Sequence, residues 1–502
     1  MASTAQPSQQ ATQDLIQQLN NGQLALAEQT ANNLIVQYPS AFILHHILAL
    51  ALDGQQKFAA SISSYQHAIK LQPNSPDLYF NLGIALSHEN RLEEAIDAYQ
   101  QAIKRKPNFF EAYGNLGTVL QRLGRLEEAV TSYQKGLKIN PQDARGYFNL
   151  GTALRDKGNL TDAIASYQQA ISLFPNYTDA YNNLGETLRD HGDMDAAVKH
   201  YQEALSRNPD HPNANYNMGE FYYLAKQYRA AASYFERSQL DDWQARQMYS
   251  LYKGEYFDDF KYLLDDVVNN SRHTSPFIAT LATHYATNFD QEDRYNFCKN
   301  GFDFVYQNSI QALAEPNSPL RKQLLHDIEF ADIAQRVQGM LHHGKQSAGN
   351  LFKRPEDSFK QLAALIKQEF INYKHQFAHA NCSLIQDFPE ELEFTSSWYV
   401  SMQRGGHLTA HIHEIGWISG AVYLSMPSPE GVEGAFEYGI HGDNYPIQPP
   451  KSELDFPTRC LLPNVGDIVL FPSSLFHRTI PFNADEKRIC IAFDLKPHIR
   501  SN

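Results

Sequence analysis

The stretch GGHLTAHIHEIGWISGAVYL, residues 405–424, decides the reading of this chain. It sets His411 and His413 two positions apart, just ahead of an apolar run from Trp417 to Leu424. On a strand, positions i and i+2 point to one face, so both imidazoles can reach one metal ion. A second stretch, FPSSLFH at residues 471–477, supplies His477, and Arg488 follows 11 residues later (488 − 477). His477 can close a three-ligand face from another strand. A mononuclear iron held on one face keeps open positions for substrate and oxygen.

Short alternating segments surround these residues. Ser396–Met402, Gly420–Ser425, Gly466–Phe471 and Arg488–Asp494 read as strands, parted by Gly and Pro clusters at 427–431, 445–450 and 463–466. Several short strands with such turns predict a sandwich or jelly roll. Upstream, Arg321 to Leu341 and Pro355 to His375 carry apolar residues at three- and four-residue intervals and read as helices. Between them, His342 to Phe352 reads as a polar loop containing glycine. His342 and His343 are adjacent there, point apart, and make a poor ligand pair.

The first half is a repeat. The tripeptide Asn-Leu/Met-Gly recurs at Asn81, Asn115, Asn149, Asn183 and Asn217, each 34 residues from the last. Ala95, Ala129, Ala163 and Ala197 keep the same register, as do Tyr99, Tyr133, Tyr167 and Tyr201. Prolines at 73, 107, 141, 175 and 209 close the units. This period marks the tetratricopeptide repeat, a helix-turn-helix unit that stacks into a solenoid. Small residues let the paired helices approach, the aromatic fills the gap, and proline ends the second helix. Two weaker units precede these, giving about seven over 8–245. The five asparagines fall on the first helix of each pair, which lines the concave groove. An amide both donates and accepts, so such a row can hold an extended polypeptide through its backbone. It resembles the asparagine ladder in the repeat domain of O-linked N-acetylglucosamine transferase. The alternative is that asparagine bonds within the repeat.

Composition narrows the class. Lys+Arg 42 against Asp+Glu 56 gives a net charge of −14, which argues against nonspecific binding to nucleic acid or an anionic membrane. No apolar run is long enough to span a bilayer. Residues 1–10 are polar and uncharged and do not read as an export signal. The four cysteines form no CxxC, so reduced thiols and a cytoplasmic location are expected.

With both halves in view, residues 320–502 resemble the 2-oxoglutarate/Fe(II)-dependent oxygenase superfamily, in the group whose motifs read H-x-H-x3-W-[IL]-S-G-x2-Y-L and F-P-S-x2-x-H-x-x-x-P. The resemblance implies a double-stranded β-helix with iron at one open end. It implies His411, His413 and His477 as ligands, with His413 standing where most relatives have a carboxylate. Arg488 would grip the far carboxylate of 2-oxoglutarate, with Tyr423 beside it and Gln403 in the same pocket. A carboxylate from elsewhere, such as Glu437, could complete the site instead. Glu414 is a poor substitute, since adjacent strand residues face opposite ways. His407 and His441 read as solvated or substrate-facing. The implied chemistry is oxidative decarboxylation of 2-oxoglutarate to succinate and CO2, coupled to hydroxylation of a substrate.

The expected organisation is a multidomain α + β chain. A tail (1–7) precedes the all-α tetratricopeptide solenoid (8–245), a helical connector (246–320) and an oxygenase-like jelly roll (321–502). The expected activity is hydroxylation of a protein or peptide held in the groove. The alternatives are a small-molecule hydroxylase that uses the repeats for assembly, and an inactive repeat scaffold with a metal-binding jelly roll.

Overall fold

The computed structural model describes residues 6–336, 339–389, 392–414, 416–428 and 431–497; residues 1–5 of the expected tail lie outside them. The chain divides into two compact units, Met1–Met218 and Gly219–Asn502.

The repeats are seven helix pairs. They begin with α1 (Gln9–Asn20) and α2 (Leu24–Gln37), then α3 (Phe42–Gly54) and α4 (Phe58–Leu71). Next come α5 (Pro76–His88) and α6 (Leu92–Arg105), then α7 (Phe110–Arg122) and α8 (Leu126–Ile139). They continue as α9 (Ala144–Asp156) and α10 (Leu160–Leu173), then α11 (Thr178–Asp190) and α12 (Met194–Arg207). The last pair, α13 (Pro212–Leu224) and α14 (Tyr228–Ser238), carries the division between the units. Each repeat proline falls two residues beyond the end of a second helix, where its missing N–H costs nothing.

The recurring glycine has a steric cause. A Cβ at Gly83, Gly117 or Gly185 would lie 2.6–2.7 Å from the ring of Tyr99, Tyr133 or Tyr201, and one at Gly151 would lie 2.9 Å from Tyr167. Each ring is fully buried, so it has nowhere to retreat. The repeating Gly and the repeating Tyr are thus two halves of one contact. Polar side chains on successive first helices also meet, 35 positions apart. Gln121 donates to Asp156 at 2.5 Å and Arg155 to Asp190 at 2.8 Å.

Within the second unit, helices α15 (Trp243–Lys253), α16 (Phe257–Asn270) and α17 (Pro276–Asn288) lead to a curled, half-barrel antiparallel sheet consistent with a double-stranded β-helix. Its described strands are β1 (Tyr306–Ser309), β2 (Gln335–Arg336), β3 (Leu341–Ser347), β4 (Leu392–His411) and β5 (Ile418–Ser425). They continue as β6 (Phe436–Gly439), β7 (Thr458–Leu461), β8 (Asp467–Pro472), β9 (Phe476–Thr479) and β10 (Arg488–Pro497). The order is β1-β8-β5-β10-β4-β9-β6-β7, with β3 also paired to β4 and β2 to β3. Helices α18 (Gln311–Ala314), α19 (Pro319–Phe330), α20 (Asp357–Gln376) and α21 (Ser383–Gln386) complete the unit. Phe359, Leu362, Ile366 and Phe370 on α20 are fully buried, at the helical spacing read from the sequence.

Two segments differ from the sequence reading. The helix expected to reach Leu341 stops at Phe330, and the polar loop expected from His342 is strand β3. β3 has four exposed residues in a row, so it carries no period of its own; the free edge of the 20-residue β4 recruits it. Likewise β1 lies inside the stretch read as a helical connector and pairs with β8. No helix among the described residues is long and apolar enough to cross a membrane.

Gly151→Val forces two methyls against the buried Tyr167 ring. It should cost about 1–3 kcal/mol, the usual range for overpacking, seen as earlier thermal loss of the helical circular dichroism signal. Half-buried Gly114, with open space around its Cβ, should take the same change with a smaller effect.

Candidate metal centre

β4 ends at His411, and His413 sits just past its end rather than on it. The two rings are still neighbours, 5.4 Å between centroids, and His477 on β9 lies 4.3 Å from His411 and 4.9 Å from His413. One nitrogen from each ring falls within 4.8 Å of the others. The cross-strand pair His411↔His477 places the two on one face of the sheet.

Hydrogen bonds select which nitrogen is free. His411 Nδ1–H donates to the Thr409 carbonyl at 2.8 Å, and His477 Nδ1–H to the Leu475 carbonyl at 3.3 Å. His413 Nδ1–H donates to the Asp494 carboxylate. With every Nδ1 occupied as a donor, all three Nε2 lone pairs remain for a metal, the arrangement seen in histidine ligands generally. Burial, helped by nearby His413, pushes His411 down to about 4, and burial with both neighbouring rings pushes His477 well below the ordinary histidine value. Both imidazoles are therefore neutral at neutral pH and able to coordinate. This donor set fits one divalent transition metal.

Asp494 anchors the centre from behind. Ser419 Oγ donates to its Oδ1 at 2.7 Å, Ser396 Oγ to its Oδ2 at 2.8 Å, and Ser419 in turn bonds Ser473 Oγ at 2.7 Å. Burial opposes the charge, but adjacent His413 and the hydrogen bonds from His413, Ser419 and Ser396 prevail and hold the carboxyl below its ordinary value. The serines of the WISG and FPSS motifs thus serve this carboxylate. Gly420 is glycine because a Cβ would meet Leu470 and the Val469 carbonyl at 2.7 Å.

The triad opens into a cavity of about 370 Å³, lined also by Trp398, Tyr423, Arg488 and Gln346. Arg488 is buried; its Nε donates to the Gly434 carbonyl at 3.2 Å and its Nη1 faces Cys490 Sγ at 3.6 Å. Its guanidinium carbon lies 5.1 Å from the Tyr423 ring centre. Among the described residues no carboxylate pairs with it, so a buried cation faces the cavity without a counter-ion. Gln346 Oε1 is also buried and unpartnered at the cavity wall.

Other expected positions fall elsewhere. Gln403 is exposed and outside the cavity, and Val400 and Met402 are buried instead; β4 shifts register between Met402 and His407 and again between Leu408 and His411. Glu437, considered as a ligand, is held by Arg478 at 2.6 Å. His407 stacks on His342 at 4.5 Å, and His441 bonds His284 at 2.9 Å. On the repeats, Asn81, Asn115, Asn149 and Asn183 are half-buried. Asn217 is not a free rung: its Nδ2 donates to Asn182 at 3.0 Å and Glu186 at 3.1 Å, and its Oδ1 accepts from Arg189 at 3.2 Å. Asp494 escaped the sequence reading, although its even offset from Arg488 on an apolar strand was the available signal.

Residues 396–494 match the family described as "Putative 2OG-Fe(II) oxygenase". Tetratricopeptide-repeat families match 48–109, 98–131, 122–154, 151–188 and 182–245. Among solved structures, the C-terminal part of a TPR repeat-containing protein from Cytophaga hutchinsonii is 16% identical, covering 48% of this chain and 99% of its own at a TM-score of 0.42. MamA from Desulfovibrio magneticus RS-1 is 21% identical (34% and 95% covered, TM-score 0.33). YrrB, a TPR protein with an unusual peptide-binding site, is 22% identical (37% and 95% covered, TM-score 0.33). No curated protein matches the chain. The chain is a tetratricopeptide-repeat protein with a C-terminal 2-oxoglutarate/Fe(II) oxygenase domain bearing the His411/His413/His477 cluster.

His411→Ala and His477→Ala should each abolish tight binding of one divalent ion, measured by Co(II) titration of the metal-free chain. Asp494→Asn keeps the shape but loses the charge behind His413. It should weaken Co(II) binding about 10- to 100-fold, the usual cost of losing such a partner.

Proposed function

We propose that this protein is a 2-oxoglutarate- and Fe(II)-dependent hydroxylase whose substrate is a protein or peptide captured by the repeats. The observation that carries this reading is the pairing, in one cavity, of a three-imidazole face with a buried guanidinium that lacks a carboxylate. His411, His413 and His477 would hold the iron through Nε2. Iron with 2-oxoglutarate supplies the oxidising power, coupling loss of CO2 to oxygen insertion.

The chain's own residues do the rest. Arg488 receives the far carboxylate of the co-substrate, where a guanidinium bonds both oxygens at once. The Tyr423 phenol is kept protonated by burial, with Arg488 opposing, and donates to the same group. Trp398, Val400 and Phe436 wall the cavity with apolar surface and exclude water, which strengthens each electrostatic contact inside it. Asp494 keeps the His413 proton on Nδ1 and its lone pair toward the metal.

On this reading the functional segments are a solenoid over 8–245, a connector over 246–320 and the oxygenase over 321–502, in a cytoplasmic setting that suits four free cysteines. Capture would use the half-buried Asn81, Asn115, Asn149 and Asn183, one per repeat, with Asn217 bracing the array.

Under anaerobic conditions, Fe(II) and 2-oxoglutarate together should produce a visible charge-transfer band that neither gives alone. Arg488→Gln should raise the 2-oxoglutarate concentration needed for it at least tenfold, since a charge-assisted pair contributes about 1.5–3 kcal/mol. Bound iron without a band in the unaltered chain would sink the co-substrate. Peptides should stimulate succinate release, and Asn149→Ala/Asn183→Ala should weaken that stimulation. Stimulation by a small molecule, unaltered in the double variant, would point to a small-molecule hydroxylase.

A further inference from the structure

Glu414 follows His413 directly, and its carboxylate leaves on the side away from the metal. Arg246 of α15 takes it at 2.7 Å, and the same guanidinium bonds Asp242 one helical turn back at 2.8 Å. Both partners are partly buried, in surroundings where an ion pair is screened less than at an open surface. The segment bearing a metal ligand is thereby fastened to a helix more than 150 residues earlier in the chain (414 − 246 = 168).

The same helix and its neighbour α17 hold the two other loops near the site. Lys253 Nζ of α15 donates to the Asn444 carbonyl, and the Tyr249 and Tyr445 rings lie 5.6 Å apart. Thr280 Oγ1 of α17 donates to the Ser474 carbonyl at 2.8 Å, three residues before His477. Asn288 Nδ2 donates to the Pro446 carbonyl at 3.1 Å, and its Oδ1 accepts from Gln448 N at 2.9 Å. A hinged linker would not spend buried polar groups in this way.

We infer that helices α15 and α17 are a splint for the metal centre, and that the Arg246–Glu414 pair is the positioning contact that sets His413. The inference rests on the metal-binding reading of the histidine triad. His411 lies on β4 and His477 on β9, whereas His413 and Glu414 lie off both strands: His413 N meets the Ser473 carbonyl at a long 3.4 Å, and the next backbone anchor is Trp417 N, which donates to the Leu495 carbonyl of β10 at 2.6 Å. Asp494 fixes the ring from one side, and Arg246 fixes the backbone from the other through Glu414. Neither Arg246 nor Glu414 touches the cavity, so each acts through His413.

The test is Co(II) titration of the full metal-free chain, read by its visible ligand-field bands. Glu414→Gln keeps volume and removes the charge. It should weaken Co(II) binding about tenfold, the low end for residues behind a ligand, and should change band positions or intensities. Arg246→Ala should do the same, and Arg246→Lys, which keeps the charge, should return affinity and bands toward those of the unaltered chain. Affinity and bands in Glu414→Gln matching the unaltered chain would overturn the inference, whether or not Arg246→Ala folds. Failure of the unaltered chain to bind Co(II) would instead overturn the metal reading beneath it.

Discussion

The second unit is organised around a carboxylate that has no right to be buried alone. Asp494 lies on the inner face of β10, and an ionised group there must be paired and hydrogen-bonded to exist at all. It draws Ser396 from β4, Ser419 from β5 and His413 from the loop between them. Three chain segments converge on it, and the ring that it orients belongs to the His411/His413/His477 cluster. Where relatives of this fold place a carboxylate on the metal, this chain keeps its negative charge one imidazole away. A carboxylate behind a histidine ring raises the basicity of that ring's other nitrogen.

The parts legible in the sequence were those written at short range. A 34-residue period and the motifs around Ser419 and Ser473 are local patterns that led to the right kind of element, and the H-x-H spacing did so for His411, with His413 just past the strand's end. Arg488 and Tyr423, which the family resemblance implied, are found in one cavity with the triad. What failed was decided by distant pairing. β3 is a strand only because β4 has an edge to offer. Gln403 faces outward on a strand whose register shifts twice between Met402 and His411, which spacing alone does not reveal. Arg246 and Glu414 are unremarkable charges in the sequence; only the fold brings them together. Asn217 shows the same limit in the repeats. It has the spacing of its fellows, but Asn182, Glu186 and Arg189 claim its amide, as His46 meets that of Asn81 and Asn182 that of Asn183.

The repeats and the sheet solve the same problem of helix or strand packing by opposite means. In the solenoid, each such glycine is matched to a tyrosine in its own unit, and polar groups reach to the next unit, as from Gln121 to Asp156 and from Arg155 to Glu186. Stability is a sum over neighbours. In the sheet, β4 alone pairs with β3, β9 and β10 along 20 residues. No part of the centre is complete until all these strands are in register.

The two halves should therefore tolerate very different accidents of length. On β10, Arg488, Cys490, Ala492 and Asp494 all line the cavity, and the residues between them face away. Inserting or deleting one residue within that run would turn the guanidinium or the carboxylate out of the site while leaving a perfectly good strand. A whole repeat added to the solenoid, by contrast, would meet the same Gly–Tyr contact and the same polar step on either side. Change in this protein is quantised: the first half can grow in units of 34, whereas the second is confined to substitution.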